Sequence, residues 1–269
     1  MSSLSNLTIS VVSHKHGKML DNLLSDLDRL GALDVSCLVI TLNVPDPFFS
    51  IEKWSSRNIK WIINESPKGF GANHNQALSN ARTDWALILN PDIRLPDAKL
   101  VGFISSYSHL SNVGVIAPRI ISSSGVLQDS VRSLPFPTTL IYRFIKRFLS
   151  YKTDSINSIE VHADWFAGMF LLLPTRVFST ICGFDERYFL YCEDCDFCLR
   201  ISLLGRRLLL DERYVVIHDA QRSSHKNIKF FMLHFSSLIS LWISRAWWLY
   251  IFYKVKGKIN GIEKITKNY

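Results

Sequence analysis

Apolar residues along this chain fall into two alternating rhythms. Short aliphatic and β-branched runs at Leu7–Val12, Val35–Leu42, Ile59–Ile63 and Trp85–Leu89 have the length and make-up of buried strands. Between the first two, apolar positions 20, 23, 24, 27 and 30 repeat at helical spacing and Gly31 offers a stop. A second helix is predicted over 67–82, opening at Pro67-Lys68-Gly69-Phe70-Gly71 and carrying Asn73, Asn75 and Gln76. Strands alternating with helices over residues 1–120 predict a mostly parallel, doubly wound α/β sheet. Such sheets bind ligands beyond the carboxyl ends of their strands. The polar turns at Ser13-His14, Asn43 and Asn90-Pro91-Asp92 fall there.

The second half changes texture. Val113–Pro118, Met169–Leu173, Arg206–Leu210 and Tyr214–Ile217 read as further strands, the last delivering His218, and Thr138–Tyr151 reads as a basic, apolar helix. Polar chemistry is densest over Phe189–Arg200, where aromatic residues lead into Glu193-Asp194 and then Asp196. From Asp194 onward, Phe197, Cys198, Ile201 and Leu204 keep helical spacing, with Gly205 as a stop. Asp194 heads this stripe and is aimed inward, while Glu193 is turned about 100° away. Acids at a helix start also complement the macrodipole and cap free N–H groups, so the stretch alone is compatible with a helix start and nothing more.

Composition narrows the partners. With 269 residues, 48% of them hydrophobic, the chain can bury a sizeable core. A net charge of +8 points to an anionic partner, either a phosphate-bearing ligand or an acidic membrane surface. No zinc-finger or RNA-recognition pattern accompanies the basic residues, so no nucleic-acid partner is expected. Met1–Asn6 is short and polar, without the pattern of a signal peptide, which predicts a cytoplasmic protein. Five cysteines, three of them at Cys192, Cys195 and Cys198, do not make a secreted disulfide framework. A thiolate cluster there would be opposed by the neighbouring carboxylates and lacks a completing His or second CxxC. Small buried helix residues account for these cysteines better.

Two turns carry candidate chemistry. Asp92 closes an apolar strand and places a carboxylate at the sheet edge. A hard divalent cation held mainly by substrate phosphates needs only one or two such groups. Asn-Pro-Asp is also ordinary turn chemistry. Gly69 and Gly71 could let backbone N–H groups approach a phosphate, or could serve tight strand-to-helix packing. The turn is neither a Walker loop nor a dinucleotide fingerprint.

Taken together, GFG-x-N-x-N (69–75), LNPD (89–92), DW-x-x-G (164–168), GFDE (183–186), FLYCEDCDFCLR (189–200) and the strand-ending His218 resemble the family 2 glycosyltransferases. Within that family the pattern is most similar to bacterial rhamnosyltransferases of O-antigen and cell-wall polysaccharide assembly, and it spans about residues 7–225. The resemblance implies a GT-A fold over 1–225, with a Rossmann-like nucleotide-sugar half at 7–120 and an acceptor and catalytic half at 121–225. It implies an inverting transfer of L-rhamnose from dTDP-L-rhamnose to a lipid-linked glycan of the GlcNAc-diphospho-lipid type. By the same resemblance, Asp92 and His218 hold Mg²⁺ or Mn²⁺ and Asp194 is the catalytic base, with Glu193 beside it. Ser13, His14, Asn43, Gly69, Gly71, Asn75, Asn90, Asp92 and Arg132 are implied on the donor side. Asp164, Trp165, Gly168 and Glu193 are implied on the acceptor side. One position departs from the pattern: Leu42, in Thr41-Leu42-Asn43, stands where the family usually has an Asp that contacts the nucleotide. A UDP-sugar such as UDP-galactofuranose or a UDP-hexose is therefore an alternative donor. A non-catalytic nucleotide-sugar-binding protein is an alternative function, opposed by the joint retention of Asp92, Glu193, Asp194 and His218.

Residues 226–269 are expected to form a separate aromatic and basic tail. Lys229–Tyr253 is rich in Phe, Trp, Tyr, Leu and Ile, and Lys254, Lys256 and Lys258 follow. His234, Ser236, Ser237 and Arg245 interrupt it, which disfavours a membrane span. Aromatics beside lysines predict an amphipathic helix on the inner-membrane surface, with a core helix as the alternative.

Overall fold

A computed structural model of the chain describes residues 6–96, 103, 107, 110, 112–139, 163–218 and 228–265. The first half runs β1 (Leu7–His14), α1 (Gly17–Arg29), α2 (Ala32–Val35), β2 (Cys37–Val44), β3 (Ile59–Ile63), α3 (Phe70–Leu78) and β4 (Trp85–Leu89). Then come β5 (Ile93–Arg94), β6 (Val113–Ile121), β7 (Val131–Arg132), β8 (Trp165–Phe166), β9 (Phe170–Pro174) and α4 (Thr175–Thr180). The chain closes with α5 (Glu193–Leu203), β10 (Arg207–His218), α6 (Ile228–Trp242), α7 (Arg245–Val255) and β11 (Glu263–Ile265).

The main sheet has the order β11-β10-β6-β9-β4-β1-β2-β3, with β5 added beside β10, while β7 and β8 form a separate ribbon. β1, β2, β3 and β4 are parallel, and β9 lies antiparallel between β4 and β6. This is the mixed α/β sheet of a GT-A fold. All five residues of β4 are buried because strands flank it and both faces are covered, which explains its unbroken apolar run. Its side chains still alternate: Leu87 and Leu89 enter the cluster with α1, and Ala86 and Ile88 enter the cluster with α5. Helix α1 buries Leu20, Leu23, Leu24 and Leu27, each worth about 1.5–3 kcal/mol relative to exposure.

One expectation changes. The segments 206–210 and 214–217 are one strand, β10, whose register against β6 shifts between Asp211 and Val215. Asp211 broke the apolar pattern, yet it is fully buried and is satisfied by the Tyr107 hydroxyl and the Arg213 guanidinium. The helix expected over 138–151 lies outside the described residues beyond Thr139. The described residues 228–265 pack against the rest of the chain. Leu238, Leu241, Trp247 and Tyr250 are buried in the cluster around α5, and β11 pairs parallel with β10. Among the described residues no helix is long and apolar enough to cross a membrane.

Candidate functional site

The carboxyl edge of the sheet gathers two acidic centres. At the first, β5 pairs antiparallel with the end of β10, setting Ile93 opposite His218. That register brings the preceding Asp92 onto the histidine, with Asp92 Oδ2 and His218 Nε2 3.0 Å apart. The other polar atoms of the pair, Asp92 Oδ1 and His218 Nδ1, are buried without a hydrogen-bond partner. The stretch behind Asp92 is anchored by Asp26 on α1, which accepts from Arg94 Nε at 2.7 Å and from the Leu95 N–H at 3.0 Å. Burial would raise the Asp26 pKa, but the Arg94 and Leu95 bonds outweigh it and hold the carboxyl below its usual range.

The donor-side turns are laced together by amides. Asn43 Nδ2 donates to Lys68 O at 2.9 Å and lies 3.3 Å from His14 Nδ1, while its Oδ1 accepts from the Lys68 N–H and from Asn64 Nδ2. Asn64 also donates to Asn73 Oδ1, and Asn73 Nδ2 donates to Gly69 O at 2.8 Å. Asn43 therefore fixes the ends of β1, β2 and β3 and the glycine turn relative to one another. Ser13 is buried, and its hydroxyl accepts weakly from the His16 N–H at 3.4 Å. His14 is exposed at the strand end, its pKa lowered by partial burial and by His16 and Lys15. Leu42, at the position that departs from the family pattern, is buried in the core.

Both glycines of the turn face protein. A Cβ on Gly69 would sit 2.7 Å from the Phe189 carbonyl oxygen, and one on Gly71 would sit 2.6 Å from Phe184 Cβ. These contacts support the close-packing reading of the turn. Asn75 completes the junction, accepting from the Phe184 N–H at 2.8 Å and donating to Phe184 O and Glu186 Oε1. The turn is bonded to the stretch that leads into α5 through the Phe70 N–H, which donates to Phe189 O at 2.9 Å.

The second acidic centre opens α5. Tyr191 and Cys192 both adopt left-handed backbone, φ 71° and 64°, at a cost of about 1–3 kcal/mol each for residues with a Cβ. This corner turns the chain so that Glu193 and Asp194 begin the helix. Asp194 Oδ2 accepts from the Gly168 N–H at 3.0 Å and Oδ1 from the Cys195 N–H at 2.9 Å. Burial raises its pKa, against the Arg132 charge and those two N–H groups. Burial and the charge of Asp194 raise Glu193 well above the usual carboxylate range, and Glu193 Oε2 has no partner. Both members of the pair are therefore pushed above the ordinary carboxylate range by burial, Glu193 also by the neighbouring charge of Asp194. Asp196 is structural, bound to Arg200 at 2.6 Å, and Arg200 also donates to Ile181 O and Gly183 O.

The two centres are joined by short backbone links. The Asn90 N–H donates to Met169 O at 2.9 Å, and Met169 follows the Gly168 that holds Asp194. Arg132 lies over the Trp165 ring at 5.1 Å and pairs with Asp129 at 3.2 Å. Trp165 Nε1 donates to Ser133 O. Asp164 sits deeper. Its Oδ2 accepts from the Leu134 N–H, and its Oδ1 accepts from the Tyr250 hydroxyl at 2.8 Å and from Lys254. Its oxygens are occupied inside the protein, so the geometry moves Asp164 from the acceptor side to the framework that fastens α7. Cys192, Cys195 and Cys198 are buried and burial pushes their thiols up, Cys198 to about 12. Among the described residues no group of three or more His, Cys, Asp or Glu could hold a metal ion unaided.

Sequence reasoning missed Asn64, Asp26, Tyr250 and Lys254 as supports of the site. Asn64 stood at a strand end, the position that had singled out Asn43. The other three carried no local signal.

The family model "Glycosyl transferase family 2" matches residues 43–169. Rhamnosyltransferase WbbL of Escherichia coli (strain K12) is 31% identical over 233 residues, 83% of this chain and 86% of the relative. The N-acetylglucosaminyl-diphospho-decaprenol L-rhamnosyltransferase of Mycobacterium tuberculosis (strain ATCC 25618 / H37Rv) is 22% identical, over 82% of this chain and 78% of its own. Among solved structures, a mannosyltransferase from Pyrobaculum calidifontis in complex with GDP-Man and Mn²⁺ superposes with a TM-score of 0.57 at 13% identity, over 87% of this chain. GalNAc-T7 with UDP, GalNAc and Mn²⁺ superposes with a TM-score of 0.60 at 12% identity, over 95%. The chain spans 63% and 55% of those two solved chains.

Proposed function

The chain belongs to glycosyl transferase family 2, and from that premise we propose that it is an inverting, metal-dependent transferase moving L-rhamnose from dTDP-L-rhamnose to a GlcNAc-diphospho-lipid acceptor. The observation that carries the reading is the acidic pair at the head of α5, one backbone bridge away from the Asp92–His218 pair. The sugar and acceptor follow the names of the two relatives above.

Asp92 and His218 fit a metal because they bring an oxygen and a nitrogen donor, Oδ2 and Nε2, to within 3.0 Å of one another at the sheet edge. The Asp92 carboxylate would suit Mg²⁺ or Mn²⁺, the His218 nitrogen would favour Mn²⁺ of the two, and donor phosphates would supply further ligands. When bound, the cation neutralises charge on the departing nucleoside diphosphate. Asp194 accepts the proton of the acceptor hydroxyl as that oxygen attacks the anomeric carbon from the face opposite the leaving group. The glycosidic bond forms as the bond to the diphosphate breaks, and the configuration inverts. The Gly168 and Cys195 N–H groups hold the Asp194 carboxylate in place for this step. Glu193 lies beside it, its carboxyl held above the ordinary range by burial and by the charge of Asp194. Trp165 borders the acceptor side, and Arg132 and the amide-laced turns from Ser13 to Asn75 frame the donor. The protein works in the cytoplasm, peripheral on the inner-membrane surface through α6 and α7.

Burial of Leu42 leaves no carboxylate at that strand position for the nucleotide base. A UDP-linked sugar is therefore the alternative donor. The test is a panel of nucleotide sugars measured for binding with and without Mn²⁺ or Mg²⁺, then for transfer to a GlcNAc-diphospho-lipid. Cation-dependent binding of dTDP-L-rhamnose and transfer with inversion are expected. Preference for a UDP-sugar would replace the donor, and binding without transfer to any acceptor would favour a non-catalytic binding protein.

A further inference from the structure

Helix α6 has two apolar faces. Ser237, Leu238 and Leu241 are buried against the body of the protein. Ile228, Phe231, Met232, Phe235, Ile239 and Ile243 recur at helical spacing on the other side and are exposed. Trp248, Phe252 and Val255 extend the exposed surface along α7. No Asp or Glu occurs between Ile228 and Lys258. Cations flank the aromatic groups instead, with Lys256 Nζ 4.1 Å from the centre of the exposed Phe252 ring and Lys258 Nζ 5.8 Å from that of Tyr253. An apolar ridge whose own two helices carry positive and no negative side chains complements an anionic lipid surface.

Helix α6 touches the corner that aims the catalytic pair through buried Ser237 and the exposed His234. Ser237 Oγ donates to Leu190 O at 2.8 Å, and the His234 ring lies 4.9 Å from that of Tyr191. Tyr191 and Cys192 are the two left-handed residues that precede Glu193 and Asp194. A strained corner persists only while its surroundings hold it. Here the Phe70 N–H bond holds it from the donor side and α6 holds it from the other. We propose that α6 couples the lipid surface to the catalytic pair: seating its outer face in anionic lipid fixes the Leu190–Cys192 corner through Ser237 and His234, and so raises turnover. In this scheme Ser237 and His234 are positioning residues. The proposal rests on the transferase reading and adds to membrane attachment a consequence for the chemistry.

The experiment uses the full chain with vesicles of phosphatidylglycerol and phosphatidylethanolamine, and with phosphatidylcholine vesicles as the uncharged control. Hydrogen exchange at the amides of 190–196 is expected to slow several-fold with the anionic vesicles and not with the control. With a short-chain, water-soluble GlcNAc-diphosphate acceptor, which lipid does not concentrate, kcat should rise several-fold at unchanged donor KM. Ser237→Ala and His234→Ala should still bind vesicles but lose most of both responses, while Ser237→Thr and His234→Phe keep them. Phe231→Asp with Phe235→Asp should abolish vesicle binding. Unchanged exchange in vesicle-bound protein would overturn the coupling, as would an equal kcat rise in Ser237→Ala and His234→Ala. Failure to bind anionic vesicles would overturn the docking itself. The exchange measurement stands even if no donor is turned over, which separates failure of this inference from failure of the transferase reading.

Discussion

Asp194 and Asp92 are both carboxylates at the same sheet edge, yet their surroundings prepare them for different work. Asp194 has a raised pKa and two N–H donors that orient it, as suits a base that must release its proton before it accepts another. Asp194→Asn keeps the shape and removes the proton acceptor. It should leave donor binding nearly unchanged and cut kcat by roughly 10²–10⁴-fold, the usual contribution of general base catalysis. Because the pKa is raised, the rate should fall as pH drops through a value above the ordinary carboxylate range, and a pH–rate profile would place that limb. Retained turnover in Asp194→Asn together with loss in Glu193→Gln would assign the base to the other member of the pair. Asp92→Asn should behave differently, weakening cation-dependent donor binding as well as turnover. Calorimetric titration of the donor with and without Mn²⁺ separates the two cases.

Helix α3 is held at its start. The glycine turn before α3 meets the backbone of Phe189, so Gly69→Ala would drive a methyl into a carbonyl oxygen that no side-chain rotation can move. Separation of the two loops would disturb both the Asn43 amide network and the entry to α5. We expect a lowered Tm and a loss of kcat that exceeds the loss of donor affinity, measured by thermal unfolding and steady-state kinetics. An alanine variant with wild-type kinetics would show that the turn can shift freely, leaving the phosphate-cradle reading of its glycines as the stronger one.

At the scale of the whole molecule, the described residues 228–265 pack into the body of the protein. Removing everything after Ser224 takes away buried Leu238, Leu241, Trp247, Tyr250 and Ile265, together with the Tyr250 and Lys254 bonds to Asp164. Large buried side chains contribute about 1.5–3 kcal/mol each, while a domain is stable by only about 5–15 kcal/mol. The truncated chain should therefore fail to fold or unfold at much lower temperature, rather than persist as an intact domain released from membranes. Circular dichroism melting of the two chains decides this. A truncated form with a native melting profile would return α6, α7 and β11 to the status of an appended tail.

The sequence by itself determined the elements whose chemistry is local. Strands β1 to β4 and helix α1 follow from apolar spacing, and the start of α5 and its stop at Gly205 follow from acid placement and a left-handed glycine. It also marked Asp92, Asp194 and His218, since strand ends and helix starts are where such sheets expose chemistry. Tertiary structure alone decided which of these groups meet. Asp92 reaches His218 across 126 positions only because β5 folds back on β10, and no periodicity encodes that register. It also decided the standing of residues whose type was misleading. Asp211 looked like the end of a strand, and Asp164 like a ligand for acceptor. Each is buried because distant partners, Tyr107 and Arg213 for one and Tyr250 and Lys254 for the other, supply the hydrogen bonds that a carboxylate loses on leaving water.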